Sequence, residues 1–259
     1  MKIITLLMLF AFGFAFSAEA SVHTETVEYK DGDTILQGFL AYDDATKEKR
    51  PGVLVAHEWW GLNDYAKGRA EELAKLGYVA FAIDMYGKGM TAKTSEEAAK
   101  LAGIYRADRK LMRRRAAAGL KVLRDYPLTD TGRIAAIGYC FGGGVVLEMA
   151  RAGTDIAGVV SFHGDLSNPN PEDAKDIRAR VLVLHGADDF FVNQEQVNAF
   201  WSEMKKTSAD WQMNIYSGAV HSFTNPASGS DPSKGVAYNE KAALRAWSAM
   251  KLFFAEIFR

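Results

Sequence analysis

The stretch Ile137-Gly138-Tyr139-Cys140-Phe141-Gly142-Gly143 constrains this chain more than any other. The apolar run Arg133 to Ile137 precedes it and reads as a buried strand. The segment Val145 to Ala150 follows it and reads as a helix. A strand, a G-x-C-x-G turn and a helix make a nucleophile elbow, with cysteine where serine is commoner. The glycines have a mechanical reason: so sharp a turn brings strand and helix backbones together and forces the central residue into a strained conformation. The sulfur then sits at a helix N-terminus, where unpaired N–H groups and the helix dipole favour the thiolate. A lone cysteine is more often a small buried hydrophobe. Glycines on both sides, between a strand and a helix, favour the nucleophile here.

The rest of the chain alternates strands with helices. Val22 to Tyr29 and Thr34 to Tyr42 flank the turn Asp31-Gly32-Asp33 and predict a hairpin. The short apolar runs Val53–Ala56, Tyr78–Ile83, Ile156–Phe162 and Val181–Leu184 predict buried parallel strands, and Trp211–Tyr216 a further strand. Helices are predicted from Asn63 or Asp64 to about Leu76, from Thr94 to about Leu123, from Asn193 to Lys206, and from about Tyr238 to Phe258. Arg113-Arg114-Arg115 reads as a solvated helix face. With no internal repeat and no dividing linker, residues 21–259 are expected to form one α/β domain, a mostly parallel central sheet with helices on both faces. In such sheets, sites form beyond the carboxyl ends of the strands. Glu58, Cys140, Asp189 and His221 all lie just after predicted strands.

The first twenty residues read as a signal peptide rather than as part of the fold. Lys2 is a short positive region, Ile3 to Phe16 is apolar, and Ala18-Glu19-Ala20 has the small-x-small pattern of a cleavage site. The mature chain is expected to begin near Ser21 and to be periplasmic or secreted. The apolar run is short for a membrane span, so no stable span is expected after cleavage. An exported protein meets an oxidising compartment, where structural cysteines pair. Cys140 is the only cysteine and has no partner in the chain, which flags a reactive thiol. The net charge of −1 gives no footprint for nucleic acid.

A thiol attacks as the thiolate and needs a base, and the base needs an orienting acid. Of the five histidines, His221 alone follows a suitable acid and opens a loop. His57, His163 and His185 directly follow strands and read as structural hydrogen-bonding groups, and His23 lies at the start of the mature chain. Asp188 and Asp189 both sit on the loop after a strand, and their spacing leaves the acid open between them. Cysteine, acid, histidine is the chain order of the α/β-hydrolase triad.

Three segments together, Gly138-Tyr139-Cys140-Phe141-Gly142-Gly143, Gly186-Ala187-Asp188-Asp189-Phe190-Phe191-Val192 and Gly218-Ala219-Val220-His221-Ser222-Phe223, resemble the dienelactone hydrolase family. His57-Glu58-Trp59-Trp60-Gly61-Leu62-Asn63 and Asp84-Met85-Tyr86 extend the resemblance over nearly the whole mature chain. It implies an α/β-hydrolase fold and a triad of Cys140, His221 and Asp189, with Asp189 preferred to Asp188. A family glutamate at the position of Glu58 contacts the resting thiol. A carboxylate there would hold the thiol neutral through like-charge repulsion and spare it from oxidation. The backbone N–H groups of Trp59 and Phe141 are the expected oxyanion hole, and Trp59 and Trp60 are expected to wall the pocket. One departure stands out. An arginine that helps bind the substrate carboxylate in dienelactone-cleaving members is Asn225 here, and Lys88, Lys93 and Arg106 are only loose substitutes.

These readings converge on a carboxymethylenebutenolidase-like enzyme that cleaves small carboxylic esters or lactones through a thioester acyl-enzyme, with no cofactor and no metal. Two alternatives stand beside it: a thioesterase or larger-ester hydrolase on the same triad, and a non-catalytic binding protein on a hydrolase scaffold.

Overall fold

The apolar runs around the elbow become the middle of a single sheet. In the computed structural model, which describes residues 21–259, the strands are β1 (Val22–Asp31), β2 (Thr34–Asp43), β3 (Arg50–Ala56), β4 (Val79–Ile83), β5 (Thr129–Tyr139), β6 (Gly158–Phe162), β7 (Arg180–Gly186) and β8 (Trp211–Tyr216). Their order across the sheet is β1-β2-β4-β3-β5-β6-β7-β8. The hairpin β1–β2 is antiparallel and joins β4 antiparallel; every other pairing is parallel. Gly32 makes the hairpin turn at a φ of 58°, a conformation that costs glycine little. The elbow strand β5 is central, with Ile137 in register with Val55 on one side and Val160 on the other.

Alternation along the strands divides the core into two layers. Ile134 and Ala136 face one layer; Ala135, Ile137 and Tyr139 face the other. The helices are α1 (Asp64–Lys75), α2 (Ser95–Ala107), α3 (Arg109–Asp125), α4 (Phe141–Arg151), α5 (Gln194–Met204) and α6 (Glu240–Ile257). Met112 and Ala116 of α3, Val145 and Met149 of α4, and Val197 and Phe200 of α5 pack on the first face. Leu73 of α1 and Ala246, Met250 and Phe254 of α6 pack on the second. Both faces of the parallel strands are thus covered, which is why those strands are apolar throughout rather than alternating.

Two sequence expectations change. The long helical region after Thr94 is two helices. Asp108 ends α2 and caps α3, its Oδ1 accepting from Leu111 N–H at 2.9 Å; an aspartate there satisfies an otherwise unpaired helix-start donor. The arginine triplet is also not a plain solvated face. Arg115 is buried and donates to Asp31 and to the Met85 carbonyl, and Arg113 joins Glu148 and Asp173. Only Arg114 points mainly to water, while still pairing with Asp31. The acids come from distant parts of the chain, so the local charge pattern gave no sign of them. The signal-peptide reading falls on residues 1–20, outside the described residues. Among the described residues no helix is long and apolar enough to cross a membrane.

Candidate active site

The elbow is built by close backbone approach. A Cβ on Gly138 would lie 1.9 Å from the Gly142 carbonyl oxygen, and one on Gly142 would lie 2.2 Å from the Ala56 oxygen. Neither contact is physically possible, so strand and α4 can meet only through glycines. The conformational strain falls on Cys140, at φ 52°. Its N–H donates to the Phe162 carbonyl at 3.0 Å, continuing the β5–β6 pairing. The sulfur is left at the head of α4.

Three strand ends then bring the predicted triad together. His221, after β8, places Nε2 3.2 Å from Cys140 Sγ and Nδ1 2.8 Å from Asp189 Oδ2, after β7. The other carboxylate oxygen of Asp189 accepts from the Phe191 and Val192 N–H groups, both at 3.0 Å. One buried carboxylate therefore fixes its own loop and orients the histidine. Asp188 is exposed, which decides the geometry in favour of Asp189. Burial works against a charge on His221, but Cys140 and the Asp189 carboxylate outweigh it and raise its pKa to about 10. The arrangement favours a protonated His221 between Cys140 and Asp189.

The Trp59 and Phe141 N–H groups make no hydrogen bond among the described residues, as an oxyanion hole requires. The loop bearing Trp59 is held from behind. His57 donates through Nδ1 to the Glu58 carbonyl and accepts at Nε2 from Met85 N–H at 3.2 Å. Tyr86 donates its hydroxyl to the Trp59 carbonyl at 3.0 Å. Burial lowers the pKa of His57, so it serves as a neutral strut.

Glu58 departs from expectation. Its carboxylate accepts from Ser222 Oγ at 2.8 Å and from Asn225 Nδ2 at 2.7 Å, and among the described residues it makes no hydrogen bond to Cys140. The thiol-modulating contact expected of Glu58 is not formed. The reason is satisfaction of a buried charge. The loop after His221 offers a donor to each oxygen, while the sulfur is engaged by His221. Burial raises the Glu58 pKa against the pull of those two hydrogen bonds. Asn225 thus has a partner that sequence alone did not reveal.

His163 is the other group whose place could not be read from spacing. It is fully buried, with φ 40°. Its Nδ1 accepts from Cys140 N–H at 3.2 Å and its Nε2 bonds Thr224 Oγ1 at 2.7 Å. Arg69 donates to the Thr224 carbonyl at 2.8 Å, and Tyr65 shares a hydrogen bond with the Thr224 hydroxyl. Burial, then the charge on His221, hold the His163 pKa well below its ordinary value. A neutral histidine therefore ties the Cys140 backbone to the loop that carries His221.

A cavity of about 950 Å³ opens over Cys140 and His221. Trp59 and Trp60 line it, with ring centroids 5.2 Å apart. Phe191 lines it as well. Of the cations weighed from sequence, Arg106 alone lines it, and its Nε lies 3.6 Å from Asp165. Lys88 is paired with Glu28, and Lys93 is not part of the lining.

A largely parallel sheet of this order, with an elbow at the end of a central strand and an aspartate and a histidine beyond the ends of β7 and β8, defines an α/β-hydrolase. Within that class the chain belongs to the dienelactone hydrolase family, whose sequence model matches residues 36–258. It is 27% identical over 247 residues to protein usf of Aquifex pyrophilus, covering 90% of this chain and 98% of that one. It is also 27% identical over 235 residues to a protein of Aquifex aeolicus named "Putative carboxymethylenebutenolidase", covering 89% and 97%. Among solved structures it is similar to a dienelactone hydrolase-like promiscuous phosphotriesterase from metagenomic libraries. That match has a TM-score of 0.88 and 41% identity, and covers 93% of this chain and 100% of the other.

Proposed function

We propose that this protein is a cysteine-dependent hydrolase of carboxylic esters or lactones that works through a thioester on Cys140. The observation that carries the reading is the unbroken line from Cys140 Sγ through His221 to Asp189, facing a cavity beside two N–H groups that have no partner among the described residues. In the first step Sγ bonds to the acyl carbon while the carbonyl oxygen takes negative charge between the Trp59 and Phe141 N–H groups. The C–O bond to the alcohol then breaks, and the His221 Nε2 proton passes to the leaving oxygen. In the second step neutral His221 takes a proton from water as the water oxygen attacks the thioester. The thiolate leaves, and the ion pair is restored. Asp189 supports the imidazolium throughout, and Glu58 braces the loop that carries His221.

Position 225 offers a substrate carboxylate no cation: Asn225 is neutral and engaged by Glu58, while Arg106 shares Asp165 with Arg109. The test is stopped-flow mixing with p-nitrophenyl acetate. The reading expects a burst of one nitrophenolate per active site, absent in Cys140→Ala; steady release without Cys140 would overturn it. The uncharged side chain at position 225 and the 41% identity to a protein titled a promiscuous phosphotriesterase favour a second substrate class on the same nucleophile, neutral aryl phosphotriesters. Release of the aryl group from a diethyl aryl phosphate, lost in Cys140→Ala, tests it. On the strength of the leading apolar segment we also propose that the chain is exported, which cell fractionation checks.

A further inference from the structure

Phe190 and Phe191 stand out as large apolar side chains left 60% and 53% exposed beside a catalytic group. Their rings stack, with centroids 4.5 Å apart and planes 28° from parallel. Phe191 lines the cavity, and its ring centroid lies 5.5 Å from that of His221 in an edge-to-face arrangement. The pair is held in place rather than loosely displayed. Phe191 N–H donates to Asp189 Oδ1, so the carboxylate that orients the base also fixes this residue. Phe190 rests on Gly235, where a Cβ would lie 2.0 Å from the Phe190 ring. Gly235 in turn pairs through its carbonyl with His221 N–H at 3.2 Å.

We propose that Phe191, backed by Phe190, forms a subsite for the departing alcohol of the substrate, and that this alcohol carries an apolar ring. The proposal rests on the hydrolase reading and adds the substrate class. Its direction follows from the chemistry of the site. The acyl oxygen belongs to the Trp59 and Phe141 N–H groups, whereas the leaving oxygen must meet Nε2 of His221, which gives it a proton as the C–O bond breaks. The group attached to that oxygen therefore lies on the His221 side, where Phe191 presents its half-exposed ring. Covering that ring removes apolar area from water and adds an aromatic pair. Once the alcohol has left, water takes its place, so the subsite assists acylation and has no part in deacylation.

The experiment compares methyl, benzyl and 2-naphthylmethyl acetate on wild type and Phe191→Ala. The acyl group is the same in all three, so a single deacylation rate serves as the internal control. Wild type is expected to show kcat/KM rising from methyl to naphthylmethyl. Phe191→Ala is expected to lose about ten-fold on the two aryl esters, the size of one aromatic pair with the area it covers. Because the Phe191 ring also touches His221, the ten-fold loss is read relative to methyl acetate: any change in the common chemistry moves all three esters and the deacylation rate alike. An equal loss on all three esters, or no loss on any, overturns the proposal. No acetylation of wild type by any of the esters would instead overturn the hydrolase reading itself. Phe191→Leu, which keeps a bulky apolar chain but no ring, is expected to fall between wild type and alanine; a leucine variant equal to wild type would show that the ring is not what the site selects.

Discussion

Replacing Asp189 by asparagine tests the orienting acid most sharply, because the structure dictates which way the amide must turn. One oxygen of Asp189 accepts two backbone N–H groups at 3.0 Å, and the other faces His221 Nδ1 at 2.8 Å. An asparagine can offer only one oxygen. Two backbone donors outweigh one imidazole, so the oxygen stays with Phe191 and Val192 and the amide NH₂ faces Nδ1. His221 must then accept at Nδ1 and carry its proton on Nε2, the tautomer that cannot take a proton from sulfur. The loss also removes a charge-assisted hydrogen bond, worth about 1.5–3 kcal/mol, from beneath the imidazolium. Losing a general base costs about 10²–10⁴-fold. A thiol ionises more readily than a hydroxyl, which places the expected fall in the acylation rate at the lower end, about 10²–10³-fold. The assay is the stopped-flow acylation burst at neutral pH, with near-ultraviolet circular dichroism to confirm the fold. Asp188→Asn is the control, since Asp188 is exposed, and should stay within two-fold of wild type. A large loss in Asp188→Asn with little in Asp189→Asn would refute the reasoning.

Other expectations follow from the same geometry. Burial disfavours the His221 charge, and Cys140 is the foremost group opposing it, so Cys140→Ala should lower the His221 pKa from about 10 in an NMR titration; an unchanged value would remove the ion pair from the account. A pKa raised on folding contributes stability that is complete below the ordinary value of 6.5 and fades as pH rises through about 10. Denaturant melts of wild type should lose stability across that window, and Cys140→Ala should lose markedly less. Gly138→Ala would drive a methyl to 1.9 Å from the Gly142 oxygen; a loss of roughly 4 kcal/mol or more in urea melts is expected, and an ordinary stability would mean the elbow is less tight than described. Asn225→Arg puts a cation next to Glu58 and into the cavity lining. It should raise the preference for carboxylate-bearing lactones over neutral esters, and an unmoved ratio would exclude position 225 from substrate selection.

The elbow and the strand ends that carry Cys140, Asp189 and His221 were legible in the sequence because each is a local feature. Glycines flank Cys140, strands end shortly before Glu58, Asp189 and His221, and Asn63 and Asn193 cap the helices that follow. What was hidden is what depends on contacts between distant segments. Glu58 meets Ser222 and Asn225 more than 160 positions away. His163 meets Thr224 across 61 positions. The arginines of α3 find Asp31, Glu148 and Asp173 on three different segments. No periodicity records such partners, so a carboxylate expected at the thiol turned to the histidine loop, and an arginine triplet expected in water was largely drawn inward.

The central claim is that the acyl group passes through Cys140. It is tested by acid-quenching the enzyme within the burst phase after mixing with an acetate ester and mapping the adduct by mass spectrometry of the peptides. The account predicts one acetyl group, on the peptide containing Cys140, released by hydroxylamine as a thioester and absent from Cys140→Ala. Acetyl on any other residue during the burst, or full turnover in Cys140→Ala, would contradict it.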